Sequence, residues 1–190
     1  MEKRRKIVLL IIGLLVVLGL LFTYVAVPYL KSNTKKHSPE VTTNYVKNDL
    51  ELEVFYNSPS KKGRTIFGEL VPYDQIWRTG ANEATTFSTT KDVVINGKTL
   101  PAGKYSLWTI PKQDSWEVIF NSKMYGWGVG FGGKPAHESE YDVIKGIATV
   151  SQNSSSEENF KIQLVEGSDD TVQLVLTWDT TQATLPIQIN

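Results

Sequence analysis

The chain of 190 residues balances 20 Lys and Arg against 20 Asp and Glu and contains no cysteine. The missing cysteine excludes disulfides, thiolate metal sites, cysteine nucleophiles and thiol-linked lipid anchors together, and zero net charge argues against a whole-chain electrostatic grip on nucleic acid. The balance is uneven: residues 1–30 carry Lys3, Arg4, Arg5 and Lys6 against Glu2, a net +3, which leaves 16 basic and 19 acidic side chains, a net −3, in residues 31–190.

Residues 1–6 form a basic tip, read as cytoplasmic. From Ile7 to Leu30 there are 24 residues with no ionisable side chain except two tyrosines. At ~1.5 Å per helical residue this span covers about 36 Å, enough to cross a hydrocarbon core of roughly 30 Å. A cleaved signal peptide is the rival reading, but it has a shorter apolar run and a small-x-small cleavage site. The exit sequence Thr23-Tyr24-Val25-Ala26-Val27-Pro28-Tyr29 offers no such site, and Tyr24 and Tyr29 sit where interfacial aromatics anchor a helix. Residues 7–30 are therefore expected to be a signal-anchor embedded in the bilayer. The basic tip places the N-terminus in the cytoplasm and the body outside the cytoplasmic (inner) membrane, with Lys31, Lys35 and Lys36 as a counter-signal.

Residues 31–44 are polar, lack periodicity and read as a linker. Residues 45–190 have the size of one domain. Within it Leu50, Leu52 and Val54 alternate with Glu51 and Glu53, a half-buried strand. Further strands are expected at Ala84 to Thr90, Val93 to Ile95 and Lys98 to Leu100, the last two joined by Asn96-Gly97, a strong hairpin signal. Lys104 to Ile110, Trp116 to Asn121, Val143 to Val150, Phe160 to Val165, Val172 to Trp178 and Ala183 to Ile189 complete the series. Tyr73 to Trp77 hints at one helical turn, and Ser151 to Asn159 reads as a polar loop. The expected fold class is all-β, an antiparallel β-sandwich or jelly roll of about nine or ten strands preceded by one N-terminal transmembrane helix.

Three groups of residues invite a chemical reading. In the glycine-rich run Gly126 to Pro135, Gly128, Gly130 and Gly133 satisfy G-x-G-x-x-G. A phosphate loop needs Ser or Thr after its Lys and a helix opening there, whereas Pro135 follows Lys134 and no strand-loop-helix pattern surrounds it, so no nucleotide is expected. His137 is the body's single histidine after the linker. Without a Gly-x-Ser-x-Gly elbow it supports no triad, and beside Glu138, Glu140 and Asp142 it reads as part of a solvated acidic loop rather than a metal site. The third group is Ile76-Trp77-Arg78-Thr79-Gly80-Ala81-Asn82-Glu83-Ala84-Thr85. Arg78 supplies a planar fork of donors, Asn82 donors and acceptors, and Glu83 a carboxylate. A sandwich can bring the earlier loop from Tyr56 to Gly68 to the same end, where Lys61, Lys62 and Arg64 would face a ligand anion or Glu83. Alternatively, Arg78 and Glu83 form a buried pair that pins a long loop, with Asn82 bonding backbone.

These residues carry a resemblance. Ser58 to Gly68, Leu70-Val71-Pro72-Tyr73, Trp77 to Thr85, Leu100 to Leu107 and Ile110-Pro111 resemble the bacterial domain-of-unknown-function family numbered 2911, over about Leu50 to Ile189. The resemblance implies an envelope-associated protein and brings no established activity, substrate or catalytic residue. Many relatives look like exported proteins or lipoproteins; this chain, having no cysteine, must anchor through its apolar helix.

The sequence therefore favours a binding module for a glycan or other polar envelope ligand, with Lys62, Arg64, Trp77, Arg78, Asn82, Glu83 and Trp127 as candidate ligand-binding residues. Exposed indoles stack on sugar faces; Trp108, Trp116 and Trp178 lie in strand patterns and are expected in the core, leaving Trp77 and Trp127 for such a role. Two alternatives stand beside it: an envelope hydrolase using Glu83 with Arg78, for which no second carboxylate is evident, and a purely structural envelope domain. No metal, cofactor or nucleic acid is implied.

Overall fold

The computed structural model describes residues 2–189 in two compact units that divide between His37 and Ser38. The first is a continuous helix: α1 (Glu2–Leu21), a π turn over Phe22–Ala26, and α2 (Val27–Lys35). The interruption has local causes. Pro28 has no N–H to donate to the preceding turn, and the Thr23 hydroxyl donates to the carbonyls of Gly19 (2.9 Å) and Leu20 (3.1 Å). The 34 residues of Glu2–Lys35 are none of them buried, and the helix is long and apolar enough to cross a membrane.

The linker expected over residues 31–44 is shorter than its composition suggested. Lys31 to Lys35 complete α2, since each added residue gains a backbone bond, and Glu40 to Asn44 begin β1 (Glu40–Lys47). This strand escapes a hydropathy reading because its inward residues, Val41, Thr43 and Tyr45, are only half-buried.

The second unit contains, among the described residues, nine antiparallel strands: β1, β2 (Leu50–Asn57), β3 (Thr85–Thr89), β4 (Val93–Ile95), β5 (Lys98–Leu100), β6 (Gly103–Pro111), β7 (Ser115–Asn121), β8 (Asp142–Glu166) and β9 (Thr171–Ile189). Their order in the sheet is β1-β2-β3-β6-β7-β8-β9-β4-β5. Asn96 (φ 47°) and Gly97 (φ 76°) make the left-handed turn between β4 and β5 that Asn-Gly favours.

The mostly-β class and the count of nine hold, but the strands are regrouped: β1 is additional, Val143 to Val150 and Phe160 to Val165 are parts of β8, and Val172 to Trp178 and Ala183 to Ile189 are parts of β9. Ser151 to Asn159, expected as a loop, is the bulged middle of one long strand; the pairing of β8 with β9 shifts register between Gln152 and Glu157 and again between Glu157 and Lys161. Polar residues are tolerated there because the stretch is exposed while β9 satisfies part of its backbone. Bulges bend a strand, and beyond them β8 runs beside β1, where the Thr43 hydroxyl donates to the carbonyl of Ile162 at 2.9 Å. The sheet thereby folds over itself like a sandwich. Enclosed between its halves are Leu52, Val54, Phe87, Leu107, Trp116, Val118, Phe120, Ile162, Leu176 and Trp178, all at most 1% exposed.

A second, smaller cluster explains why β6 and β7 are buried on both faces. Trp108 and Ile119, paired across these strands, point away from the main core and pack with Ala84, Ile76, Tyr125 and Ala136. Tyr73 to Trp77 make a turn rather than a helical one. Asp74 is left-handed (φ 57°), and beyond the end of β3 the open edge of β6 captures Trp77, whose N–H donates to Thr109 O at 2.7 Å and whose carbonyl accepts from Thr109 N–H at 3.0 Å.

Candidate functional site

The two loops singled out in the sequence do meet, and the residue that joins them is Asn57 at the end of β2. Its side-chain N–H donates to Glu83 Oε2 at 3.0 Å, and its carbonyl oxygen accepts from Asn82 Nδ2 at 3.2 Å. Asn82 Nδ2 also approaches Ser38 O at 3.4 Å. An amide relay thus runs from Asn82 through fully buried Asn57 to the Glu83 carboxylate. Asn57 was not among the expected site residues; an Asn directly after the apolar run Val54-Phe55-Tyr56 was the signal available for it.

The backbone that carries these groups is tightly folded. Thr79, fully buried, has φ 57° and Asn82 has φ 56°, and for a β-branched residue such as threonine the left-handed region is a true outlier. Thr79 is held there by its hydroxyl on Thr109 Oγ1 (3.1 Å) and its carbonyl under the Thr85 hydroxyl (2.6 Å). Gly80 has φ 147°, and a Cβ at that position would lie 2.9 Å from Asn57 O. Strain of this kind costs ~1–3 kcal/mol and persists where surrounding contacts over-determine it.

Arg78 is partly buried and lies beneath the glycine-rich run. A Cβ on Gly128 would come within 2.7 Å of Arg78 Cβ, so the glycine is required by the arginine stem. Gly128 N–H donates to Asn82 O at 2.8 Å, and Ala136 N–H to Gly128 O at 3.1 Å, which ties the run to the relay. The run itself folds as a narrow excursion, with Val129 bridged to Pro135 and Gly130 N–H on Lys134 O at 2.8 Å. Trp127 within it is half-buried.

The buried Arg78–Glu83 pair considered in the sequence is not what forms. Glu83 accepts from Asn57, whereas Arg78 Nε is enclosed without a hydrogen-bond partner. Burial alone pushes the Arg78 guanidinium below its ordinary pKa, with no neighbouring carboxylate pulling it back.

Nor do the expected cations face Glu83. Lys61 Nζ pairs with Asp179 Oδ1 at 2.6 Å. That contact, with the Ser156 hydroxyl at 2.7 Å, holds the Asp179 carboxyl below the usual carboxylate range. Lys62 is exposed, and its N–H donates to Glu158 Oε1 at 2.9 Å. Arg64 spends its fork on its own loop, donating from Nε to Lys61 O (3.0 Å) and from Nη2 to Ser60 O (2.7 Å). Lys61 is thus held by a carboxylate from β9, and Arg64 by carbonyls three and four residues back in its own loop.

Trp77 is also withdrawn. It stacks on Trp178 at 6.1 Å and 14° and meets the rings of Phe67, Trp116 and Phe160 at 5.0–6.3 Å, which leaves it a core residue that positions Arg78 rather than a sugar platform.

His137 is not solvated. Its Nε2 lies 2.6 Å from Asp142 Oδ1, both side chains are at most 9% exposed, and its ring packs edge-on against Trp108 at 5.4 Å. Asn121 Nδ2 donates to the same Asp142 oxygen at 2.9 Å. With Lys123 on Glu138 (2.5 Å) and the Tyr125 hydroxyl accepting from Glu138 N–H (3.1 Å), this pair clamps the base of the glycine-rich excursion. Among the described residues no three His, Cys, Asp or Glu side chains gather as metal ligands would.

No match to the chain was found among the curated proteins or the solved structures. The family described as "Protein of unknown function (DUF2911)" matches residues 38–187. This span begins ahead of the motif-bearing stretch and takes in β1, and with it the whole compact unit up to the last residues of β9. The chain belongs to this family.

Proposed function

We propose that this is a single-pass membrane protein, held by residues 7–30, whose β domain is an extracytoplasmic binding module for a glycan or other polar envelope ligand. The observation that supports the reading is Arg78: a guanidinium partly removed from water on a strained, well-braced loop, whose enclosed Nε has no hydrogen-bond partner. A buried arginine kept for stability alone needs a paired anion; one kept for a ligand leaves its fork open. Asn82, Asn57 and Glu83 beside it supply the amide and carboxylate groups that orient hydroxyls. Glycan-array binding by the full chain in nanodiscs tests this. We expect retention of a defined subset of polar glycans, reduced in Trp127→Ala; no retention of any glycan or polar envelope fragment would count against it.

The membrane placement has its own test. Because the chain has no cysteine, Ser154→Cys introduces a single thiol at an exposed position. In intact cells an impermeant maleimide should label it fully, while Glu2→Cys at the basic tip should react only after permeabilisation. The opposite labelling pattern would reverse the orientation, which rests on the basic tip and the positive-inside bias.

A further inference from the structure

We propose that the ligand of this module carries an oxyanion, a carboxylate or a phosphate, and that it docks on the fork of Arg78; the assignment rests on the binding reading above. An arginine fork presents parallel N–H groups that match two oxygens of either anion bidentately. Here the fork is pre-set rather than free to swing. The stem lies against Gly128, where no side chain would fit, and the preceding Trp77 is fixed in the aromatic core. The following Thr79 is fixed by its buried hydroxyl.

The electrostatics run the same way. Nε is enclosed and unpartnered, and the charge is desolvated without a counter-ion. A charge held out of water without a counter-charge is unfavourable, and an oxyanion docking on the guanidinium would supply that counter-charge. Two other cations are held by carboxylates, Lys61 by Asp179 at 2.6 Å and Lys123 by Glu138 at 2.5 Å. Glu83 takes the Asn57 amide rather than the Arg78 guanidinium, so the carboxylate does not neutralise the arginine.

A neutral hydroxyl would satisfy one donor and leave the charge uncompensated. An oxyanion satisfies two donors and the charge together, which is why the fork selects it.

The test uses the full chain in detergent micelles, with glucuronate, glycerol 3-phosphate and glucose as probes, followed by calorimetry and thermal melting. At least one anion should bind tenfold or more tightly than glucose, and the tighter of the two identifies the anion as carboxylate or phosphate. Arg78→Met should lose that preference and melt no lower than the parent, because it removes an unpaired buried charge; a structural arginine would melt lower. Arg78→Lys should keep attraction but weaken binding several-fold, having lost the two-point geometry. If Arg78→Met fails to fold, the Arg78 Nε–H resonance of the parent protein decides: it should shift on titration with the bound anion. Equal affinity for anions and glucose, or an undiminished anion preference in Arg78→Met, would overturn the assignment. A neutral glycan bound equally by parent and Arg78→Met removes the oxyanion but keeps the module. No binding by any probe or array glycan, with a lowered melting temperature in Arg78→Met, removes both.

Discussion

Replacing Trp178 by alanine is expected to destabilise the β domain by ~3–5 kcal/mol, the range for truncating a large buried aromatic. At roughly 2–4 °C per kcal/mol for a chain of this size, the melting temperature should fall by about 10 °C. Trp178 is 1% exposed and stands at the centre of the aromatic core, stacked on Trp77 and tilted or edge-on to Phe160 (5.8 Å) and Phe67 (6.4 Å). Its indole N–H donates to Glu158 O at 3.2 Å, the same carbonyl that receives Lys61 N–H at 2.6 Å. The ring therefore fastens the bulge of β8 to the loop after β2, and on its other side it holds Trp77, the residue before Arg78. The effect should reach the site: ligand affinity should fall in Trp178→Ala at a temperature where the protein is still folded. Trp178→Phe keeps most of the buried area and loses the N–H, so its cost should be about 1–2 kcal/mol. A full-chain melt of Trp178→Ala within about 2 °C of the parent would mean that the aromatic box is not a single packed unit.

Strand periodicity carried most of the β domain, because Leu52 and Val54 alternate with Glu51 and Glu53 in β2, and Trp116 and Val118 with Ser115 and Glu117 at the start of β7. It failed where burial was partial or absent. In β1 the inward residues are half-exposed, so Val41, Thr43 and Tyr45 leave only a weak alternation in a polar stretch. In the middle of β8 bulges interrupt the period, and Ser151 to Asn159 look like a loop although the backbone continues as strand. The site divides in the same way. Arg78, Asn82 and Glu83 stand out by residue type, and Asn57 links the last two. Their neighbours are set by tertiary geometry: Asn57 arrives from β2, Gly128 from a run more than forty residues away, and Arg64 is drawn off by the carbonyls of Lys61 and Ser60. His137 looked solvated because its neighbours Glu138 and Glu140 are acidic, whereas its burial comes from Trp108 on β6.

Gly80→Ala should be the most disruptive single-atom addition near the site. The new Cβ would sit 2.9 Å from the backbone carbonyl of Asn57, and the φ of +147° is one that residues with a Cβ rarely adopt. Because the obstacle is backbone, no rotamer change relieves it; either β2 or the loop must move. The expected cost is ~2–4 kcal/mol, combining overpacking with an incompatible backbone conformation. Asn57 is the atom-for-atom link between Asn82 and Glu83, and its carbonyl also receives Ala81 N–H at 3.3 Å. Displacing it should break the relay before it unfolds the sheet. Gly63→Ala is the matched control: Gly63 is also left-handed (φ +69°) but has nothing within 4 Å of its would-be Cβ. It should lose only about 1 kcal/mol of conformational strain and leave binding intact. Measured side by side in the full chain, the two variants separate backbone strain, which they share, from the wedge against Asn57, which only Gly80→Ala has. Equal melting temperatures and equal affinities would place the relay outside the binding site; a loss of affinity confined to Gly80→Ala would tie the strained loop to ligand recognition through Asn57.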